Sequence, residues 1–349
     1  VLRVGSLPHL ALIGACYGPK RAYRCEALVA PAALSLTTVL IGTTAMQMQR
    51  RDANWTLTGM GRNMILLTGA TGRVGSAAAK ALARANIPFR ALVRDPDKVA
   101  FDPDAAEIVQ GDLNDPAIVE QALQGVSRAL IVMGNHPDQA KLERQFASLA
   151  ADGGVSHLVK VSSMEAAPDA TATLPKNHYD TEQHIASLGV DWTFLRPNYY
   201  MQNMLMYAGS IARTNSFALP LGTAKTAMID SRDVGEVAAV VLTGEGHAGQ
   251  AYRLTGPAMM DFHEVAARMG TVLERPVSYV AQSPEVFREV LGQFIQSVWQ
   301  LDAVCELFAE IAAGSLEEQH STTADLLGRP AVDLETFTRQ FAGAFAPAG

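Results

Sequence analysis

A glycine-rich turn between a buried strand and an alanine-rich helix constrains the fold of this chain most. The run from Met64 to Ala85 reads MILLTGATGRVGSAAAKALARA, in which Gly69, Gly72 and Gly75 are spaced G-x-x-G-x-x-G. Glycines allow a tight turn and a close approach of the backbone to a phosphate, and a helix start offers N–H groups and a positive dipole end. The order strand, turn, helix, strand predicts a βαβ unit that binds a dinucleotide.

The backbone of this turn is the predicted phosphate site, and the last glycine is expected to let the helix lie close to the strand. An ordinary strand-to-helix turn is the alternative, but it does not account for the order of the elements. The residues expected at the cofactor are Gly69, Ala70, Thr71, Gly72, Arg73, Val74 and Gly75.

Strands and helices alternate along the next 130 or so residues, and the apolar runs predict six strands. These strands are expected at 65–68, 89–93, 106–109, 129–133, 157–161 and 192–195. Such alternation predicts an α/β fold of the Rossmann type, with a doubly wound parallel sheet covered on both faces. After Pro197 the pattern becomes less regular. Residues from about 198 onward are expected to form a smaller C-terminal α/β substrate lobe over the carboxyl edge of the sheet.

Composition excludes several classes of protein. The 349 residues carry a net charge of -7 and no basic run follows the glycine loop, which argues against a nucleic-acid partner. The three cysteines, Cys16, Cys25 and Cys305, lack C-x-x-C spacing, which argues against a disulfide framework or a zinc site. We therefore expect no bound metal, a cytoplasmic location, no membrane partner, and a monomer or homodimer that acts on a small molecule.

The first 62 residues allow three interpretations. Residues 27–49 carry no charge and have basic residues on either side. They suit a signal peptide, a membrane anchor, or upstream sequence read from a misassigned start. The polar residues in the run weaken the anchor, and no clear signal-peptide arrangement is present. We favour the misassigned start, which predicts a poorly ordered extension over 1–62 and an NAD(P)-binding domain over 63–349.

Three cations point to the kind of nicotinamide cofactor. Arg94 ends the second strand, Lys98 follows one helical turn later, and Arg73 lies in the glycine loop. Because such a cluster suits a 2′-phosphate, NADP(H) is expected to be preferred and NAD(H) remains possible. Asp95 is the counter-argument, since an acid there accepts from ribose hydroxyls. Cations that merely face solvent are the other alternative.

Two further strand ends are expected to contact the cofactor. Asp112 follows the third strand and is placed to meet the adenine amino group, with Leu113 against the ring. Met133, Gly134 and Asn135 follow the fourth strand, where the backbone is expected to pass close to the ribose and the nicotinamide.

Four more stretches complete a resemblance to a known family. They are HLVKVSS at 157–163, HYDTE at 178–182, GVDWTFLRPNYYMQN at 189–203 and LLGRP at 326–330. Together with TGATGRVG at 68–75, they make the chain resemble the short-chain dehydrogenase/reductase superfamily from about residue 63 onward. Within that superfamily it is most similar to the NmrA-like group, which includes quinone oxidoreductase type 2 and triphenylmethane reductase-like enzymes.

The resemblance implies where proton chemistry would lie. The superfamily usually employs a Ser, a Tyr and a Lys four residues after the Tyr, and the Lys lowers the pKa of the phenol. Ser162, or the serine after it, holds the place of that Ser, but Gln183 stands four residues after Tyr179. In the NmrA-like pattern His178 holds the place of the phenol. Glu182, one turn later, is expected to orient the imidazole and raise its pKa, unless the two form only a solvated pair.

The same resemblance implies a substrate pocket beyond the sixth strand. Pro197 is expected near the nicotinamide ring, followed by a soft aromatic wall for a planar substrate. The residues of that wall are Tyr199, Tyr200, Met201 and Asn203. We expect NADPH-dependent hydride transfer to a quinone or a similar planar conjugated substrate, which needs little proton activation. A non-catalytic redox sensor is the alternative, and a nucleotide-sugar epimerase ranks last because it needs the Tyr–Lys pair.

Overall fold

The computed structural model describes residues 64–347, and the expected extension over 1–62 lies outside them. Eleven strands occur in this range. They are β1 (Met64–Leu67), β2 (Phe89–Val93), β3 (Ala106–Gln110), β4 (Val126–Ile131), β5 (His157–Val161), β6 (Asp191–Pro197), β7 (Ser216–Leu219), β8 (Lys225–Thr226), β9 (Gln250–Leu254), β10 (Met260–Asp261) and β11 (Ser278–Ala281).

The helices of the same range alternate with the strands in the first half and cluster in the second. They are α1 (Arg73–Arg84), α2 (Pro116–Leu123), α3 (Gln139–Asp152), α4 (Thr173–Ala186), α5 (Ala208–Thr214), α6 (Ser231–Thr243), α7 (Phe262–Val272), α8 (Pro284–Gly292), α9 (Val298–Ala312), α10 (Thr322–Leu327), α11 (Leu334–Gln340) and α12 (Ala342–Phe345). Short 3₁₀ segments cover Pro96–Lys98, Pro103–Ala105 and Met201–Tyr207.

Seven strands form one parallel sheet in the order β3-β2-β1-β4-β5-β6-β9. The order reverses between β1 and β4, which is the switch point where open α/β sheets bind ligands. Strands β2 and β5 are buried along their whole length, as parallel strands covered on both faces should be. The predicted Rossmann-type, doubly wound sheet is confirmed.

The C-terminal part has a hydrophobic core of its own. The aromatic residues Phe217, Phe262, Phe308 and Phe337 belong to this core, which also takes in Met164 from the loop after β5. Strand β8 pairs antiparallel with β10, and strand β7 pairs in parallel with β11. Ile229 makes a single bridge to Tyr200.

Thr68 fixes the switch point between β1 and β4. Its hydroxyl donates to the carbonyl of Leu130 at 3.0 Å and accepts from the amide of Val132 at 2.9 Å. Gly69 then passes so close to β4 that a Cβ on it would lie 2.4 Å from the oxygen of Val132. One side chain therefore holds the two strands together where the glycine loop begins.

Helix α6 packs tightly across α1, the helix that follows the glycine loop. A Cβ on Gly235 would lie 2.5 Å from the Cβ of Ala77 and 2.6 Å from the backbone oxygen of Val74. The small residues of α1 and Gly235 together allow this approach. Glu236 adds an ion pair to Arg84 at 2.8 Å.

No helix between residues 64 and 347 is both long enough and apolar enough to cross a bilayer.

We predict that Gly235→Ala destabilises the protein although alanine is the better helix former. The added methyl would meet α1 backbone and force the two helices apart, at a cost of about 1–3 kcal/mol in the free energy of unfolding. Urea denaturation measures this cost. Gly209→Ala is the matched control, because the nearest atom there is the end of the flexible Arg213 side chain at 3.2 Å. Equal stability of the two variants would contradict the tight α1–α6 contact.

Candidate active site

The glycine loop presents the start of α1 at the switch point. Gly69 has a φ of +60°, and the amide of Gly72 donates to its oxygen at 2.9 Å. A Cβ on Gly75 would lie 2.3 Å from that same oxygen, so this glycine lets the helix lie against its own loop. Within the described residues, no side chain caps the first turn of α1 and no acid lies in it. The backbone therefore suits an anion such as a pyrophosphate.

The side chains of the loop divide between core and surface. Ala70 and Val74 are buried in the hydrophobic core between the sheet and helix α1. Only their backbone atoms can therefore contact a cofactor. Thr71 is exposed, and Gly72 and Arg73 are half-buried. The predicted phosphate loop therefore fits a dinucleotide through its backbone.

Arg94 and Asp112 stand at the carboxyl ends of neighbouring strands, β2 and β3. The Arg94 side chain is 81% exposed, with its Nε 3.9 Å from an Asp112 oxygen. Lys98 pairs with Asp95 at 2.7 Å, and the other oxygen of Asp95 accepts from the amide of Asp97. Because Asp95 is engaged with its own turn, it is poorly placed to act as the acid that selects NAD(H). The geometry favours Arg94 as a phosphate contact.

The other expected cofactor contacts line the same edge of the sheet. The second oxygen of Asp112 accepts from the amide of Asn114 at 2.9 Å, and Leu113 packs partly against the core. After β4, Met133 and Asn135 are half-buried and Gly134 is exposed. Pro197 is buried at the end of β6.

Two buried polar atoms at the site lack a partner among residues 64–347. They are Oγ of Ser162, just beyond β5, and Nδ1 of His178, on α4. An unpaired buried polar atom costs about 1–3 kcal/mol of folding free energy, so such atoms are commonly hydrogen-bonded to a ligand or to water. Ser162 and His178 are therefore well suited to bind a substrate oxygen or the amide of a nicotinamide.

A buried ion pair lies beneath this site. Lys160 of β5 donates to Glu143 of α3 at 2.6 Å, and both side chains are almost wholly inaccessible. Burial, with a further contribution from the Lys160 charge, holds the pKa of His178 well below its ordinary value. The imidazole is therefore neutral at neutral pH, and its unpaired Nδ1 can take part in a hydrogen bond.

The expected support of His178 by Glu182 is wrong. Glu182 is fully buried and accepts two hydrogen bonds from Arg196 of β6, one of them from Nε at 2.9 Å. A guanidinium fork satisfies a carboxylate better than a neutral imidazole does. Glu182 thus fastens α4 to the sheet, and the pKa of His178 falls where the sequence suggested that it would rise.

The expected aromatic wall also needs correction. Tyr199 and Met201 are buried in the C-terminal core, where the Tyr199 ring meets Phe262 edge-on at 5.7 Å. The hydroxyl of Tyr199 is hydrogen-bonded to Asn203. Of the expected pocket residues, half-buried Tyr200 remains the best candidate for contact with a substrate.

Sequence reasoning did not single out Glu165, a half-buried carboxyl group in the loop between β5 and α4. Its carboxylate accepts a hydrogen bond from the hydroxyl of Ser163, which is next to Ser162. Burial raises the pKa of Glu165, the Ser163 hydrogen bond partly offsets that, and the nearby charge of Glu310 raises it again. The only sequence signal was a Ser-x-Glu spacing directly after a buried strand.

Among residues 64–347 no group of three or more His, Cys, Asp or Glu side chains could hold a metal ion.

A parallel sheet with a glycine loop at its switch point and unpaired polar atoms nearby defines an α/β dinucleotide-binding protein. The chain belongs to the NmrA-like family, whose sequence profile matches residues 61–338, and the predicted membership is confirmed.

Named relatives span nearly the whole of this domain. The chain is 35% identical to NAD(P)H azoreductase of Xenophilus azovorans, over 82% of this chain and 100% of that protein. It is 36% identical to (4-alkanoyl-5-oxo-2,5-dihydrofuran-3-yl)methyl phosphate reductase of Streptomyces griseus, over 81% of this chain and 100% of that protein. A similar solved structure is NADPH-dependent quinone oxidoreductase of Escherichia coli complexed with NADPH, with a TM-score of 0.73, 26% identity, and coverage of 80% and 100%.

We predict that Lys160→Met costs about 3–5 kcal/mol of unfolding free energy, because it leaves the buried Glu143 carboxylate unpaired. The double variant K160M/E143L removes both charges and is expected to recover most of that loss. Its His178 pKa, followed by NMR of the imidazole, should rise but stay below the ordinary value, since burial is the larger cause. A single variant as stable as the wild type would contradict the buried pair.

Proposed function

We propose that this chain is an NADPH-dependent oxidoreductase that transfers hydride to a quinone or a similar planar conjugated substrate. The observation that carries the proposal is the combination of a backbone phosphate loop with unpaired, uncharged polar atoms at Ser162 and His178. Such a site binds a hydride donor and orients an electrophile without a strongly acidic group. The names of the relatives, an azoreductase and a quinone oxidoreductase among them, support the same class of reaction.

The chain's own groups would hold the cofactor along the carboxyl edge of the sheet. The amides at the start of α1 would bind the pyrophosphate, and Arg94 would meet a 2′-phosphate. Asp112 would accept from the adenine, and the segment after β4 would pass the ribose. A reduced nicotinamide bound there supplies the hydride.

The substrate side would be formed by neutral groups. Ser162 and the neutral His178 would bind the substrate oxygen by hydrogen bonds, and Tyr200 would contact its ring. An already electrophilic quinone tolerates such weak activation, whereas an ordinary ketone would need the absent Tyr–Lys pair.

A non-catalytic redox sensor is the alternative, and it would bind the nucleotide without turnover. The expectations of a monomer or homodimer and of a cytoplasmic location stay predictions.

We predict that the purified protein oxidises NADPH in the presence of a quinone or an azo compound, measured as loss of the reduced nicotinamide absorbance. A panel that includes simple ketones should show turnover with the conjugated acceptors only. Binding of NADPH without turnover on any acceptor would favour the sensor.

We predict that Arg94→Gln weakens the binding of NADPH much more than the binding of NADH. Charge-assisted hydrogen bonds contribute about 1.5–3 kcal/mol, which corresponds to about a 10- to 150-fold rise in the Kd of NADPH. Calorimetric titration with both nucleotides measures the difference. Lys80→Gln is the control, because Lys80 is an exposed cation on α1. An unchanged ratio of the two affinities would show that Arg94 does not read the 2′-phosphate.

A further inference from the structure

Helix α4, which carries His178, begins without a capping side chain of its own. Its N-cap residue is Ala172, which has no side-chain oxygen, and its first turn contains no acid. The first amides of a helix have no acceptor within the helix, so they need one from elsewhere. In this fold the acceptors come from a second helix, α9.

Two carboxylates of α9 accept these amides. Oε1 of Glu310 accepts from the amide of Thr171 at 3.0 Å and from the amide of Ala172 at 2.7 Å. Oε2 of Glu306 accepts from the amide of Thr173 at 2.9 Å. The hydroxyls of Thr171 and Thr173 donate to the same two oxygens, at 2.8 and 2.7 Å. Together these five hydrogen bonds join α9 to the start of α4.

Helix α9 is itself fixed by the C-terminal core. Its Phe308 belongs to that core, and the Phe308 ring meets the Tyr199 ring edge-on at 6.3 Å. Glu306 and Glu310 are one helical turn apart, so one face of α9 presents both carboxylates. The core therefore holds α9, and α9 in turn holds the start of α4.

The same helix has a second anchor beyond His178, where Glu182 accepts from Nε of Arg196 at 2.9 Å. His178 lies five residues after Thr173 and four before Glu182. At a rise of 1.5 Å per residue, it is about 8 Å from one anchor and about 6 Å from the other along the helix axis. Because Nδ1 of His178 has no partner among residues 64–347, the placement of α4 sets where that atom lies.

We propose that Glu306 and Glu310 are positioning residues that hold His178 in place for the substrate, and this inference rests on the proposed function. The two carboxylates act through α4, by fixing its first turn, and they take no part in hydride transfer. Without them the amides of that turn lose their acceptors and the turn loosens. A displacement of about 1 Å in a binding group can slow a reaction by about 100-fold.

The test compares the wild type with the double variant Glu306→Ala/Glu310→Ala. We expect kcat/KM with a quinone to fall by about 10- to 100-fold. The Kd of NADPH, measured by calorimetry, is expected to stay unchanged, since the phosphate loop lies on α1. If the double variant does not fold, as judged by urea denaturation, E310A alone takes its place.

Two further variants separate positioning from a general weakening of α9. E306Q/E310Q keeps a side-chain oxygen for the same amides, so it should retain most of the wild-type rate. Asp302→Ala is the matched control, because Asp302 is an acid of the same helix that pairs with Arg288 of α8 at 2.5 Å and does not cap α4. This control should also keep the wild-type rate.

An independent readout is the imidazole of His178, followed by NMR in the unliganded protein. Burial is the main cause that holds the pKa of His178 well below its ordinary value. Loosening of α4 admits water, so this pKa should rise in E306A/E310A and stay at its wild-type value in E306Q/E310Q and D302A.

Three results would overturn the inference and leave the proposed function intact. They are an alanine variant with the wild-type rate and the wild-type His178 pKa, a glutamine variant as slow as the alanine variant, and a D302A variant that loses as much rate. A wild type that oxidises no NADPH with any acceptor overturns the proposed function, and the His178 titration then still tests whether α9 positions that residue.

Discussion

The junction between β1 and β4 is the constraint on which the rest of this structure depends. The Thr68 hydroxyl bridges the Leu130 carbonyl of β4 and the amide of Val132 just after it, which holds the two strands together where the sheet order reverses. Gly69 then runs against Val132 with no room for a side chain, and the chain turns directly into α1. The start of α1 is therefore held over the switch point, and because no side chain of the described residues caps its first turn, its amides are available to an anion.

The charged residues near the expected cofactor lie at the surface, whereas those around Ser162 and His178 are buried in ion pairs. On the expected cofactor side Arg94 is 81% exposed, and Lys98 pairs with Asp95 at the surface. Around Ser162 and His178 two buried ion pairs occur, Lys160 with Glu143 and Glu182 with Arg196. These pairs rigidify β5, α3 and α4, and they leave Ser162 and His178 as neutral groups in a fixed frame. That division suits a reaction in which the protein binds a charged donor and a neutral electrophile.

The predictions that were confirmed rest on local patterns in the sequence. The glycine spacing and the alternating apolar runs gave the sheet and most of its strand positions, because both signals are set by neighbours along the chain. Partner choice is set by distant residues and could not be derived in that way. The i, i+4 spacing of His178 and Glu182 suggested a pair, but Arg196, fourteen residues further on and on another element, is the stronger partner. Tyr199 and Met201 were likewise expected to form a pocket wall, but in the structure they are buried in the C-terminal core. Glu165 lies in a loop, where spacing alone says little about burial.

A crystal structure grown with NADPH would test the proposed site directly. We predict that the pyrophosphate lies on the backbone amides at the start of α1, with the 2′-phosphate beside Arg94 and the nicotinamide facing Ser162 and His178. A nucleotide bound at another edge of the sheet, or no nucleotide at saturating concentration, would contradict it.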